Sequence, residues 1–342
     1  MIDVGIFNIN SYGGIGLANL VDAHPQMRLA AVAGHSSAGK TLRALFPAWA
    51  GEDLPVRESL PPLDLVFSAL PHAAAAKALA PLVRDGVRVV DLSADFRLRD
   101  AAAYAHWYGH EHPAPDLLPR AVYGLTEVWR DEIAAATLGA APGCYPTVAG
   151  LGLAPILAAK GLFNGGGSII VDAKSGASGA GRTLKTESLF SEADESVAAY
   201  SLSGHRHLPE IEQTARALSR DGMGASITFV PHLVPMTRGI LATIYMRPNE
   251  PIGAAALRGL YRDYYRRSPC VRVSDTPPST KWTLRTNLCV VHPTVDERTG
   301  MIVVVSCIDN LVKGAAGQAI QDANLMLGLP EETGLPLRTD WP

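Results

Sequence analysis

Apolar strands without polar alternation constrain this chain more than any other feature. Val4–Ile9, Leu29–Ala33, Leu63–Leu70 and Val87–Leu92 are short, nearly continuous apolar runs, and helical stretches at Gly14–Ala23 and Ala73–Asp85 punctuate them. A strand that is apolar on both sides needs cover on both faces, and strand–helix alternation supplies the covers. The first part of the chain is therefore expected to form a parallel α/β sheet. Such sheets bind ligands at the carboxyl ends of their strands.

After about Pro142 the pattern changes. Ser168–Lys174, Ala225–Val230 and Gly239–Met246 are rich in β-branched residues, with fewer helices between them. Asn287–Val295 and Met301–Ile308 flank Asp296-Glu297-Arg298-Thr299-Gly300, which reads as a hairpin with a glycine turn. This half is expected to be an α+β domain with a mostly antiparallel sheet. Lys313–Leu327 reads as a terminal helix that returns to pack on the first domain. The expected division is residues 1–143, completed by the C-terminal helix 313–342, and a second domain over residues 144–312. The alanine-rich stretches Ala73–Ala80 and Ala134–Ala141 are helix-friendly.

The chain has 342 residues, enough for two domains. Its formal net charge is -3, from 30 basic and 33 acidic side chains, and no block of like charge argues for a nucleic-acid surface. No apolar run is long enough to cross a bilayer, and Met1–Asn10 lacks the basic start of a signal peptide. Cys144, Cys270, Cys289 and Cys307 are too scattered for a disulfide scaffold or a metal site. A cytoplasmic protein with reduced thiols is expected.

Five segments carry candidate chemistry. The first strand runs into Asn8-Ile9-Asn10-Ser11-Tyr12-Gly13-Gly14-Ile15-Gly16, where backbone N–H groups could meet a pyrophosphate at a helix N-terminus. Asn8 and Ser11 stand where glycines are usual, and a tight polar strand–helix turn explains the segment equally well. The second strand ends in Gly34-His35-Ser36-Ser37-Ala38-Gly39-Lys40. It lacks the acid that binds ribose hydroxyls in NAD sites, and its hydroxyls, imidazole and lysine suit a 2′-phosphate; a solvated basic loop is the alternative.

Ala141-Pro142-Gly143-Cys144-Tyr145-Pro146-Thr147 places a cysteine at a loop-to-helix junction, where the helix N-terminal field favours a thiolate. Cys289 and Cys307 sit inside alternating strands and read as core packing. Gly204-His205-Arg206-His207-Leu208-Pro209-Glu210-Ile211 gathers two imidazoles, a guanidinium and a carboxylate; histidine is the usual proton carrier near neutral pH, and Glu210 could orient a ring. A metal site is the rival reading, but no further ligand set accompanies the two histidines. A polar helix start with Pro209 and Glu210 in its first turn is the plain one. Lys174-Ser175-Gly176-Ala177-Ser178-Gly179-Ala180-Gly181-Arg182 is a small-residue loop bracketed by two cations, which suits phosphate or carboxylate unless it is only a flexible connection.

Taken together, Gly143–Thr147, Ser175–Arg182 and Gly204–Ile211 resemble the N-acetyl-γ-glutamyl-phosphate reductase family. So do Asp91-Leu92-Ser93-Ala94-Asp95-Phe96-Arg97, the segment Pro231–Gly239 and the segment Asp309–Gln318, in the expected order along almost the whole chain. The resemblance implies a Rossmann-type NADP domain and a catalytic domain. It implies the NADPH-dependent reductive dephosphorylation step of arginine biosynthesis. Cys144 would be the nucleophile and His207 the acid/base, with His205 and Glu210 close by. Arg206, Lys174, Ser175, Ser178, Gly179 and Arg182 would hold the substrate. Asn10, Ser11, Tyr12, Gly13, Gly14, His35, Ser36, Ser37 and Pro71 would hold NADP(H), with Asn310, Lys313 and Gly314 near the nicotinamide. The family works as a homodimer or homotetramer on a small acyl phosphate. The rival functions are a carrier-protein-linked acyl-phosphate reductase and a non-catalytic NADP-binding relative.

Overall fold

The computed structural model describes residues 1–163, 167–219 and 225–339, which group into two units. One unit comprises Met1–Pro142 with Ala315–Leu335; the other runs from Gly143 to Gly314 and takes in the described residues from Pro336 onward.

The first unit is built on seven parallel strands: β1 (Ile2–Phe7), β2 (Met27–Ala33), β3 (Val56–Arg57), β4 (Leu65–Ser68), β5 (Arg88–Asp91), β6 (Ala121–Tyr123) and β7 (Leu138–Ala140), ordered β3-β2-β1-β4-β5-β7-β6. Successive residues enter opposite cores. Phe67 and Val90 join the core that holds Leu17, Val21 and Ile320, whereas Val66 and Val89 join the one that holds Ala76, Leu79 and Val83. Helices Tyr12–Asp22 and Gly317–Met326 cover one face and helix Ala74–Arg84 the other. That two-sided burial is why the strands carry no polar alternation. The strand order reverses between β1 and β4, which opens a crevice at their carboxyl ends.

Two local expectations need correction. Ala134–Ala141 is not helical throughout: the helix Thr126–Ala134 ends, and Leu138–Ala140 becomes β7, paired on both sides with β5 and β6. Fully buried sheet neighbours override alanine's helix preference here. Lys313–Leu327 is not one α-helix either. A π-helical turn spans Val312–Ala316 before the α-helix Gly317–Met326 begins.

The second unit holds a mixed, mainly antiparallel sheet of β8 (Ser168–Ser175), β9 (Ala198–Ala199), β10 (Ser226–Leu233), β11 (Ile240–Met246), β12 (Val271–Val273), β13 (Cys289–Asp296) and β14 (Met301–Ile308). The order is β12-β13-β14-β11-β8-β10-β9, with parallel pairing only at β12/β13 and β8/β10. β13 and β14 form the expected hairpin, closed by Gly300 at φ 68°. Helix Cys144–Ala158 lies on one face of this sheet and is buried nearly all round, as an apolar helix without a polar face must be. Gly152 admits it to the sheet, because a Cβ there would come within 2.5 Å of Ile244 Cδ1. Pro155 cannot donate to the Leu151 carbonyl; the Tyr265 hydroxyl donates to it instead, and the Tyr261 hydroxyl bonds Gly152 O at 2.5 Å. Among the described residues no helix is long and apolar enough to cross a membrane.

Candidate active site

Cys144 is the first residue of the buried helix of the second unit and is its partly exposed end; Cys270, Cys289 and Cys307 are buried. Burial pushes the Cys307 thiol up to about 12, so it stays protonated. Two glycines shape the space round Cys144. A Cβ on Gly314 would lie 2.7 Å from Cys144 Cβ, and one on Gly143 would lie 2.6 Å from His207 Nε2. A side chain at Gly314 would thus collide with the cysteine itself, and one at Gly143 would displace the His207 ring, which lies against the residue before the cysteine. Glu210, fully buried, accepts the Gly143 N–H at 3.0 Å and so holds the residue before the nucleophile.

The helix Leu208–Leu218 begins just after His207, with Pro209 and Glu210 in its first turn. The motif starts a helix, as the plain reading expects, and its His207 ring also lies against Gly143. His205 Nδ1 accepts the His207 backbone N–H at 3.0 Å, so a neutral His205 carries its proton on Nε2. Burial first, then the neighbouring Arg206 charge, push this imidazole down to about 4, leaving it neutral at physiological pH. Tyr145 packs edge-on against His205, His207 and Phe229, and its hydroxyl meets that of Tyr200 at 3.0 Å. Burial chiefly, with Cys144 charge adding, pushes the Tyr200 hydroxyl up to about 12, so it remains a donor. Tyr200 escaped the sequence reading because it lies in a segment with no motif.

The loop after β8 is fastened by backbone. Gly176, Ala177 and Ser178 donate to the carbonyls of Gly239, Met236 and Thr237 at 3.0, 2.9 and 3.1 Å. Gly176 is obligatory, since a Cβ there would stand 2.8 Å from Arg238 N. Asn310 clamps the two segments: Nδ2 donates to Ser178 Oγ at 2.9 Å and Oδ1 accepts the Gly239 N–H at 2.7 Å. Ser175 and Ser178 are buried, Gly179, Arg182 and Arg206 exposed, and Lys313 fully buried. Lys174 corrects the expectation of two cations bracketing the loop. Strand alternation turns it away from Ala173, Ser175 and the Cys144 helix, and its ammonium pairs with Asp172 at 2.7 Å. Buried Asp309 receives Arg238 together with the Arg285 and Leu311 N–H groups. Among the described residues no group of three or more His, Cys, Asp or Glu could hold a metal.

In the first unit, the turn after β1 replaces its missing glycines by other means. Asn8 adopts φ 58° and donates to Ala69 O at 2.7 Å, and Ser11 caps the helix by accepting the Gly14 N–H at 2.9 Å. Gly14 lets the turn close, because a Cβ there would sit 2.3 Å from Asn8 O. Asn10 bridges to the turn after β2, donating to Ser36 Oγ at 3.2 Å and accepting from Ser37 Oγ at 2.8 Å. Ser37 is buried and its hydroxyl donates to Asn10 Oδ1, which ties the two turns together; His35 and Ser36 are exposed, as is Tyr12. A Cβ added at Gly13 would meet Ala69 and Leu92 at 3.5 Å. Pro71 opens the turn into helix Ala74–Arg84. A capped helix N-terminus at the carboxyl end of β1, with no acid after β2, fits a phosphorylated dinucleotide.

Comparison with known proteins gives the family and the fold. Residues 3–136 match the semialdehyde dehydrogenase NAD binding domain, and residues 144–310 the semialdehyde dehydrogenase dimerisation domain. Among solved structures, aspartate semialdehyde dehydrogenase II of Vibrio cholerae is 17% identical with a TM-score of 0.72, covering 96% of this chain and 98% of its own. The Candida albicans aspartate semialdehyde dehydrogenase with NADP is 16% identical at a TM-score of 0.63, over 96% and 98%. These likenesses carry the fold. Sequence relatives carry more: the N-acetyl-gamma-glutamyl-phosphate reductase of Dehalococcoides mccartyi is 49% identical over 97% of this chain and 96% of its own. That of Citrifermentans bemidjiense is 47% identical over 100% of both. The chain belongs to the N-acetyl-γ-glutamyl-phosphate reductase family of semialdehyde-dehydrogenase-like oxidoreductases.

Proposed function

We propose that the chain reduces N-acetyl-γ-glutamyl phosphate to N-acetylglutamate 5-semialdehyde with NADPH, in arginine biosynthesis, through a thioester on Cys144. The observation that carries this reading is the convergence of His207, Glu210 and Gly314 on Gly143–Cys144. His207 takes the thiol proton, aided by the helix N-terminal field. The thiolate attacks the acyl carbon, the C–O bond to phosphate breaks, and a thioester remains. Backbone N–H groups at Cys144 and Tyr145 stabilise the oxyanion. The turns after β1 and β2 would hold NADPH, which would supply hydride to the thioester carbon. The thiohemiacetal collapses to aldehyde, and His207 returns the proton to sulfur. Arg182 and Arg206, both exposed beside the loop and the histidine motif, supply charge for the phosphate and carboxylate, with Ser175, Ser178 and Gly179 shaping the pocket.

The chain works in the cytoplasm, where its thiol stays reduced. Two copies join through the open face of the second sheet, which fits the match of residues 144–310 to a dimerisation domain. The test is the reverse assay, with N-acetylglutamate semialdehyde, NADP and phosphate, on wild type and Cys144→Ser. Phosphate-dependent NADPH formation in wild type and none in the variant is expected. Equal rates would reject the covalent route, and activity only on a carrier-linked substrate would redirect the assignment to that class.

A further inference from the structure

The Asp91–Arg97 segment plays no part in the chemistry above, yet its polar side chains Asp91, Ser93 and Asp95 are buried and hydrogen-bonded in series. Ser93 donates its N–H and Oγ–H to the Asp91 carboxylate at 3.0 and 2.5 Å, and accepts the Asp95 N–H at 3.1 Å. Asp95, fully buried, then reaches across to the loop after β4. Its Oδ1 accepts the Ala73 N–H at 2.8 Å and the Tyr104 hydroxyl at 2.7 Å, and its Oδ2 accepts the Ala76 N–H at 2.7 Å. Asp95 is thus a cap supplied from outside the helix Ala74–Arg84, which has no side-chain cap of its own.

The residue it pins is strained. Ala73 has φ 66° and ψ −40°, a region that side chains other than glycine rarely enter. Strain of this kind persists only where the surroundings over-determine it, and it gathers at ligand clamps. The same loop is locked to the glycine turn, because Asn8 donates to Ala69 O; a Cβ added at Gly13 would stand 3.5 Å from both Ala69 and Leu92, just ahead of the Ser93–Asp95 chain. The loop, the glycine turn and the Asp95 segment therefore interlock at the carboxyl ends of β1, β4 and β5, where a dinucleotide binds in a sheet of this order.

We propose that Asp95 is a positioning residue for the dinucleotide: by holding Ala73 in its strained conformation it fixes the Pro71–Ala73 backbone at the border of the cofactor site. The inference rests on the cofactor reading given above. It is tested by NADPH fluorescence titration and steady-state kinetics on wild type, Asp95→Asn, Ala73→Gly and the double variant, with Tm measured in parallel. Asp95→Asn is expected to raise the NADPH Kd and KM about tenfold, as the loss of one charge-assisted hydrogen bond does. KM for the acyl phosphate should stay within about threefold, because Ala73, Ala76 and Tyr104, which Asp95 holds, all belong to the first unit. Adding Ala73→Gly should recover most of the NADPH affinity without recovering Tm, since glycine adopts this conformation unstrained. A lower Tm with unchanged NADPH Kd would make Asp95 a folding residue only and overturn the inference. If Asp95→Asn does not fold, Tyr104→Phe decides: it removes one bond to Oδ1 and should weaken NADPH several-fold, and an unchanged Kd overturns the inference. A wild-type chain that does not bind NADPH brings down the cofactor reading itself, and this inference with it.

Discussion

Gly143 and Gly314 act by what they leave out. Each brings another part of the second unit to Cys144 more closely than any Cβ would allow, Gly143 by admitting His207 and Gly314 by resting on the cysteine itself. Misplacing a reacting group by about 1 Å can cost roughly 10²-fold in rate. Gly314→Ala should therefore lower kcat by about tenfold or more while the fold survives, read by steady-state kinetics beside a circular dichroism spectrum. A wild-type kcat would show that the π-helical turn has slack. Cys144 and the histidine motif were legible in the sequence because their residue types are chemically specific. Gly314 was legible only as part of a matched segment, because a long-range approach leaves no local mark. Lys174 shows the reverse case: the period-two alternation of Val171, Ala173 and Ser175 already assigned it to the other face, but its charge beside a small-residue loop was the more conspicuous signal.

Elements differ in how openly the sequence announces them. The central strands of the first unit, buried on both faces, stand out as runs without alternation. Leu138-Gly139-Ala140 does not, because three residues are too few to show a period and only pairing with β5 and β6 makes them a strand. Helix Cys144–Ala158 hides a cost in Pro155, which leaves the Leu151 carbonyl without its helical donor until Tyr265 supplies one. Tyr265→Phe keeps the ring and orphans that carbonyl. It should destabilise the protein by about 1–3 kcal/mol in chemical denaturation, and no change would mean that water replaces the hydroxyl. The end of β5 gives a pH dependence. Burial raises the Asp91 carboxyl to about 6, against Ser93 hydrogen bonds that lower it. Its folded pKa exceeds its unfolded value, so this group favours the folded state most below about 4, and that contribution is lost as pH rises through about 6. Asp91→Asn should flatten the fall in Tm between pH 4 and 7 relative to wild type. A slope identical to wild type would show that Asp91 is already ionised throughout.

Chain tracing joins the first unit twice. After the second unit the chain returns, and Ala316, Ala319, Ile320 and Ala323 complete a core begun by β1 and β2, while Asp322 bonds Thr126 at 2.6 Å and Gln318 bonds Gly124 O. The return was legible as a late apolar helix without a strand of its own to cover. Among the described residues of the second unit, no helix is seen to cover the second sheet's far face as the Cys144 helix covers the near one. Ile170, Tyr245 and Val303 stand in register across β8, β11 and β14 on the side opposite the Cys144 helix, with Thr243 and Val305 in the next row. Ile170 is 44% exposed, an unusual state for a central strand residue. An isologous two-fold pairing sets the same row against itself and buries it with no further element, whereas a face left to water would carry polar residues in alternation. Ile170→Glu places like charges on both sides of that row. Sedimentation velocity should then show wild type at the mass of two chains or a multiple, and the variant shifted to single chains at micromolar concentration. A wild type that already sediments as a single chain would reject the face as an interface, and a variant that stays paired would move the interface elsewhere on the second unit.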